Sequence, residues 1–494
     1  MKRIGFDNEK YIKMQSEQIE KRISEFDNKL YLELGGKLFD DFHASRVLPG
    51  FKPDSKIKML MHLQDKLEIV VAISAHDIVN NKIRGDYNIS YDMDVLRLID
   101  AFRQSGFYVG SVVITQYNGE AAALSFKKKL EGLGMNVFLH YPIEGYPSNI
   151  ELIVSDNGYG KNEYITTTRP LVLVTAPGPG SGKMATCLSQ LYHEHKRGIK
   201  AGYAKFETFP IWSIPLKHPV NLAYEAATAD LNDVNMIDPF HLEAYGKTTV
   251  NYNRDIEVFP VLNAIFTKIF GESPYKSPTD MGVNMAGFCI VDDDFVCDAA
   301  REEIVRRYYN TKCDVLNGRV EKEAVFKTEL IMKQAGIDEK VRDVAVSAVK
   351  RAEETNMPAT AIKLHDGTIV TGKTTALLGA SAAALFNALK HLAGIDKGVE
   401  LISPEIIEPI QDLKIRHFGN NNPRLHMDEA LIALSVCATT DRYAKMAMDC
   451  LQELSGLEAH ASVILSQIDM SVFKKLGMNL TCEPVYQTKK LYHG

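Results

Sequence analysis

From residue 68 to residue 206, short β-branched runs alternate with stretches of helical periodicity. No other feature constrains the chain as strongly. Parallel strands need crossover helices, so the alternation predicts βαβ units and a doubly wound, mostly parallel sheet. Residues 68–73, 108–115, 137–140, 171–175 and 201–206 read as strands, and 152–154 as a further short one. Helices are predicted over 92–104, 120–133 and from the loop after Thr175 to about Arg197. Ahead of them Tyr11, Ile19, Ile23, Phe26 and Leu30 recur at helical spacing, marking an opening helix with one packing face.

The pattern changes twice further on. Asp, Asn, His and Pro accumulate from Trp212 to Asn253, and helical periodicity dominates from Asp293 to Thr355. After Pro358, His365-Asp366-Gly367 separates two β-like runs, a hairpin signal. Helices are predicted over 375–392, 427–437 and 442–454, with a strand at 463–465. At 494 residues the chain exceeds one core and suggests about two to four domains. The expected division is an α/β domain over 1–230, a mainly helical subdomain over 231–355 and a C-terminal α/β subdomain over 356–494.

Composition excludes some partners. Lys plus Arg number 57 against 63 Asp plus Glu, a formal charge of −6, which disfavours nucleic acid. The charged start carries no secretory h-region, and the apolar stretch 376–392 is interrupted by Asn387, Lys390 and His391, so no membrane span is expected. Seven scattered cysteines without C-x-x-C spacing fit a reducing cytoplasm. The amphipathic first helix is compatible with a homo-oligomer.

The sharpest chemical signal follows the most apolar strand. Thr175-Ala176-Pro177-Gly178-Pro179-Gly180-Ser181-Gly182-Lys183-Met184 leads from strand to helix and resembles the phosphate loops of nucleotide kinases. Glycines let backbone N–H groups converge on an anion, the helix N-terminus adds positive potential, and Lys183 supplies a mobile cation. Two departures matter: Pro177 stands where the first Gly belongs, and Met184 where Ser or Thr would bind Mg²⁺. Gly178, Gly180, Ser181, Gly182 and Lys183 are therefore candidates for holding a phosphate or nucleotide, with Mg²⁺ in doubt. The other reading is a tight strand–helix turn without ligand. Lys205 and Glu207, at the end of the next strand, are candidates for the reacting centre, since ligands in such sheets bind at the carboxyl ends of strands.

A second string, Gly367 to Thr374, fits G-x-x-x-x-G-K-T, but Asp366-Gly367 is a turn and Thr368 to Val370 is β-branched. The surviving idea is that Thr371, Gly372, Lys373, Thr374 and Thr375 open a small-residue helix, either as a second anion site or through an ordinary N-cap. Asp292-Asp293-Asp294 could hold Mg²⁺ or start a helix. Asp230, Asp233, Asp238, His241 and Glu243 form a polar stretch suited to acid–base work or to plain solvation, and His76-Asp77 with Arg84-Gly85-Asp86 lie near a strand end. His193-Glu194-His195 is not H-E-x-x-H, no P-C-x-x-C follows His241-Leu242-Glu243, and G-x-S-x-G is missing, so zincin, zinc-deaminase and serine-elbow chemistries lack support.

Residues 39–51, 81–86, 175–183, 201–210, 371–375 and 462–467 resemble domain-of-unknown-function family 1846, also known as uncharacterised protein family 0371, over essentially the whole chain. The resemblance implies a mixed α/β fold with a helical subdomain and a C-terminal α/β subdomain of deaminase-like topology. Some relatives carry an ATP-dependent peptidase label, which the missing protease motifs oppose here. It carries over no catalytic residue. The expectation is an enzyme acting on a phosphorylated or nucleotide ligand, with a non-catalytic metabolite-binding or scaffold protein as the alternative.

Overall fold

The computed structural model describes residues 3–85 and 87–487; Asp86 of the Arg84-Gly85-Asp86 string lies outside the described residues. The chain forms two compact units, Met1–Glu225 with Asn232–Ala300, and Ala226–Leu231 with Arg301–Gly494.

The first unit is built on a seven-stranded, wholly parallel sheet. Its strands are β1 (Leu30–Leu34), β2 (Leu67–Ser74), β3 (Tyr108–Thr115), β4 (Asn136–Leu139), β5 (Leu171–Thr175), β6 (Gly202–Phe206) and β7 (Gly282–Val283). Their spatial order is β7-β6-β1-β5-β2-β3-β4. The chain runs outward from β1 to β4, returns to the middle at β5, then runs outward the other way. Such reversals leave crevices at the carboxyl edge, where adjacent loops part to opposite faces. Every residue of β1, β2 and β5 is buried, as expected of parallel strands covered on both faces. Among the covering helices are α1 (Asn8–Ser24), α2 (Tyr91–Gln104), α3 (Ala121–Gly132), α4 (Lys183–Lys196) and α5 (Asn253–Phe270). Helix α2 packs on β2 and β3, α3 on β4, and α4 on β1, β5 and β6.

Two expectations are corrected here. Leu30 does not extend the opening helix. Asp27 and Asn28 adopt left-handed φ values of 44° and 56°, which end the helical segment, and Leu30 starts the central strand β1. Residues 152–154 are not a strand: Ile150–Ile153 is one helical turn capped by the Asn149 side chain.

The second unit carries a mixed four-stranded sheet in the order β9-β8-β10-β11, with β8 (Ala359–Lys363), β9 (Ile369–Lys373), β10 (Glu458–Ala461) and β11 (Asn479–Cys482). The β8–β9 and β8–β10 pairs are antiparallel and β10–β11 is parallel. The strand placed at 463–465 falls instead at Glu458–Ala461, because Ala459 and Ala461, not the bulkier Val463 and Ile464, fill the buried row. Helices Asp343–Thr355 and Ala380–Leu392 pack on this sheet, and Leu385, Leu389, Leu434 and Phe473 contribute to its core.

Gly372 explains part of this packing. The backbone of Ala383–Ala384 lies where its Cβ would stand, so strand and helix meet at closer range than any side chain permits. Gly372→Ala is expected to cost about 1–3 kcal/mol by forcing them apart. A urea midpoint equal to wild type would show that the contact yields freely.

Candidate functional site

The Gly-rich turn is short and pinned. Seven residues separate Thr175 from Lys183, the first residue of α4. Thr115 Oγ1 donates to the Ser181 carbonyl at 2.9 Å, and Ser181 Oγ turns back to the Gly178 carbonyl at 3.0 Å. The Ser181 hydroxyl is thus spent within the loop, leaving only its N–H for a ligand. Gly178 lies against the Tyr91 hydroxyl, where a Cβ would overlap it. Gly180 and Gly182 adopt φ of 78° and 82°, the left-handed region glycine tolerates, and no atom crowds the Cβ side of Gly180. Among the described residues, Lys183 makes no ion pair.

Lys205 and Glu207 come together as their strand position requires. Glu33 on β1 sits level with Val174 on β5 and Lys205 on β6, one row across three neighbouring strands. At about 4.8 Å per strand, the start of the Gly-rich turn and the Lys205–Glu207 end lie about 10 Å apart. Lys205 Nζ donates to Asp255 at 2.7 and 2.8 Å, lies 3.1 Å from Glu207 Oε1, and also contacts the Tyr252 hydroxyl. Tyr252 in turn donates to Glu207 Oε1 at 2.8 Å, and Tyr203 donates to Glu33 Oε2 at 2.6 Å. Asp255 enters from the first turn of α5.

Burial opposes the charge of Lys205, but Asp255 and Glu207 outweigh it and hold the ammonium well above its ordinary value. Burial, reinforced by Asp255 and only partly offset by Lys205, raises Glu207 above the usual carboxylate range. Burial also drives the Cys187 thiol well up; Glu33 adds to this and Lys183 opposes it. A cleft of about 40 Å³ opens on Lys205, Glu207, Asp255, Trp212 and Asn284. That is room for about three water molecules or one substrate group.

The other sequence candidates are occupied differently. Thr371, Gly372 and Lys373 lie in strand β9, and Thr374 N donates to the Pro358 carbonyl. Thr375 Oγ1 accepts from Leu377 and Leu378 N–H groups. The helix expected to open at this string starts at Ala380, with Gly379 as its N-cap. Asp233 pairs with Arg254 at 2.7 Å, and Asp238 caps the helix Pro239–Tyr245 and binds Thr279 Oγ1 at 2.6 Å. His241 Nδ1 is 2.9 Å from Ser277 Oγ. Glu243 borders a separate hollow of about 610 Å³ with Phe240, Phe259, Tyr275 and Lys276. Asp77 pairs with Lys82 at 3.2 Å, and His76 Nε2 meets Asn80. Asp293 and Asp294 are the first residues of a helix, Asp293–Leu316.

Sequence reading missed Glu33, Tyr252 and Asp255. A carboxylate inside an otherwise apolar run, Leu30 to Leu34, is the one local signal for Glu33; Tyr252 and Asp255 reach Lys205 only through the fold.

Fold and site together define an α/β protein with polar groups gathered where loops leave the carboxyl edge of a parallel sheet. Among the described residues, no helix is long and apolar enough to cross a membrane. The chain belongs to the family described as domain of unknown function DUF1846, whose N-terminal model matches residues 4–336 and whose C-terminal model matches 340–492. Proteins of Streptococcus pyogenes serotype M3 and Streptococcus thermophilus, both named as UPF0371 proteins, are 58% identical over 492 residues, covering the whole of this chain and of each relative.

Proposed function

We propose that the first unit is an enzyme module for a phosphorylated or nucleotide ligand. The backbone of Gly178, Gly180, Ser181 and Gly182, with Lys183, holds the phosphate. Lys205 and Glu207 stand about 10 Å away, where the rest of a sugar phosphate or nucleotide reaches. The supporting observation is the pinned turn itself: two left-handed glycines, of which Gly180 is open on its Cβ side, a 14-residue helix behind them, and an unpaired Lys183. Lys205 stays protonated and serves as an electrostatic stabiliser rather than a base. Glu207, raised above the usual carboxylate range by burial, is the group suited to move a proton.

A second reading, ligand binding without turnover, draws support from Met184 and from the ion pairs already engaging Lys205. We further propose a cytoplasmic location and homo-oligomeric assembly, on cysteine usage and the amphipathic first helix.

A thermal-shift screen of nucleotides, sugar phosphates and inorganic phosphate, with and without Mg²⁺, tests the site. A ligand at about 100 times its dissociation constant stabilises by about 2.7 kcal/mol. Lys183→Ala is expected to weaken that ligand about tenfold, or 1.4 kcal/mol, with the unliganded melting temperature unchanged. Equal binding by the variant, or no shift with any phosphate compound, overturns the assignment. Product formation from the bound ligand then separates turnover from mere binding.

A further inference from the structure

A second cluster in the first unit is untouched by the phosphate reading. His218 precedes the helix Pro219–Ala227, while Asp293 and Cys297 stand four residues apart, on one face at the start of Asp293–Leu316. His218 Nε2 lies 3.0 Å from Asp293 Oδ1 and 3.5 Å from Cys297 Sγ, and Cys297 Sγ lies 3.8 Å from Asp293 Oδ2. A nitrogen, a sulfur and a carboxylate oxygen thus converge within 4.8 Å of one another. A tetrahedral zinc ion, with bonds of about 2.0–2.1 Å to nitrogen and oxygen and 2.3 Å to sulfur, sets its ligand atoms roughly 3.3–3.6 Å apart. The His218–Cys297 separation of 3.5 Å fits that spacing; the carboxylate contacts, 3.0 Å through Oδ1 and 3.8 Å through Oδ2, lie on either side of it, and the exposed Asp293 carboxylate turns to offer one oxygen to both partners.

We propose that His218, Asp293 and Cys297 form a site for a zinc-class divalent cation. The donor set favours Zn²⁺ over Mg²⁺ or Ca²⁺, which prefer all-oxygen ligands. The thiolate and carboxylate together balance the ion's two charges. His218 is only 9% exposed and held in place, whereas the Asp293 side chain is 64% exposed, so the fourth position opens to water. Three protein ligands with one open position is the count of a reactive rather than a closed structural zinc site. Loading moves protons in a defined way. The Cys297 thiol proton leaves to solvent. The Val220 N–H donates to His218 Nδ1 at 3.2 Å, which places the imidazole proton on Nε2 in the metal-free chain; as Nε2 takes the metal the proton passes to Nδ1, and the long Val220 bond to that atom is broken. The metal-free alternative is a hydrogen-bonded trio in which His218 and Cys297 both donate to Asp293.

The two states separate in a metal titration of the full chain after chelator treatment. Zn²⁺ is titrated against a chromogenic chelator, and Co²⁺ serves as a spectroscopic probe. The expected result is one Zn²⁺ per chain and a thiolate-to-cobalt charge-transfer band in the near ultraviolet. His218→Gln and Cys297→Ser should each weaken Zn²⁺ about tenfold or more, and Cys297→Ser should abolish the band. Asp293→Asn should lose less, since water can replace an exposed carboxylate. Phosphate-ligand binding should persist in all three variants, so failure here leaves the Gly-rich turn unaffected. Fluorescence of Trp212, the chain's single tryptophan, checks folding. A wild-type chain without stoichiometric Zn²⁺, or a band that survives Cys297→Ser, overturns the site.

Discussion

Replacing Arg342 with Met is expected to cost the second unit about 3 kcal/mol, because the substitution leaves the part-buried Glu302 and Glu458 with Arg306 as their remaining buried cation and deprives two carbonyls of their donor. The Arg342 side chain has no solvent exposure. Its guanidinium bonds Glu302 at 3.1 Å, Glu458 at 2.5 Å, the carbonyls of Ala459 and Asn479 at 2.9 and 3.0 Å, and Thr481 Oγ1 at 2.9 Å. It therefore ties β10 and β11 together from one end. Burial works to raise Glu458, but Arg306 and Arg342 outweigh it and hold it below the usual carboxylate range. A depressed carboxylate gives stability that is present above its unfolded value and lost as pH falls through its folded one. Arg342→Met should therefore lower the urea midpoint of the circular-dichroism transition at pH 7 and flatten its fall toward acid. Trp212 fluorescence reports the first unit and serves as the reference. A dichroism midpoint equal to wild type would show that the network contributes nothing net.

How much was legible beforehand depended on how local each signal is. The parallel sheet was readable because β2, β3 and β5 are continuous apolar runs punctuated by helical periodicity, and the turn after β5 because its glycines adjoin both elements. β1 escaped because Leu30 continues the spacing of Ile19, Ile23 and Phe26; the interruption comes from the backbone at Asp27 and Asn28, which periodicity does not register. The string around Lys373 misled for the opposite reason. Its Gly-Lys-Thr-Thr letters suit a helix start, yet Gly372 is needed to let Ala383 and Ala384 close on the strand. The Lys205 site was half legible. Lys205 and Glu207 announce themselves at a strand end, but Tyr252 and Asp255 come 47 and 50 residues later in the chain, and His218 meets Cys297 only across 79 residues.

Lys205→Met is expected to destabilise the first unit by about 3–5 kcal/mol at pH 7, with a pH dependence that identifies the cause. In the wild type the Lys205 and Asp255 side chains are 11% and 9% exposed, so the cation and its partners share a nearly dry environment. The raised ammonium gives stability present below its unfolded value and lost only as pH rises through its folded one, far above neutrality. Glu207 carries the opposite sign. Its folded value is raised, so its ionisation penalty is absent at acid pH and grows as pH rises through that value. Removing the ammonium leaves Glu207 facing the Asp255 charge without the cation between them, which pushes the Glu207 carboxyl further up and enlarges that penalty. The deficit should therefore shrink as pH falls and Glu207 takes up a proton, to roughly half or less at pH 5 of its size at pH 7.5. Urea denaturation followed by Trp212 fluorescence at the two pH values measures it. Adding Asp255→Asn to Lys205→Met should recover part of the loss at pH 7.5, because one of the two stranded charges is gone. A deficit identical at both pH values, with no recovery from Asp255→Asn, would mean that Lys205 acts through the packing of its methylene chain. The cluster would then have no claim on the charge chemistry assigned to it.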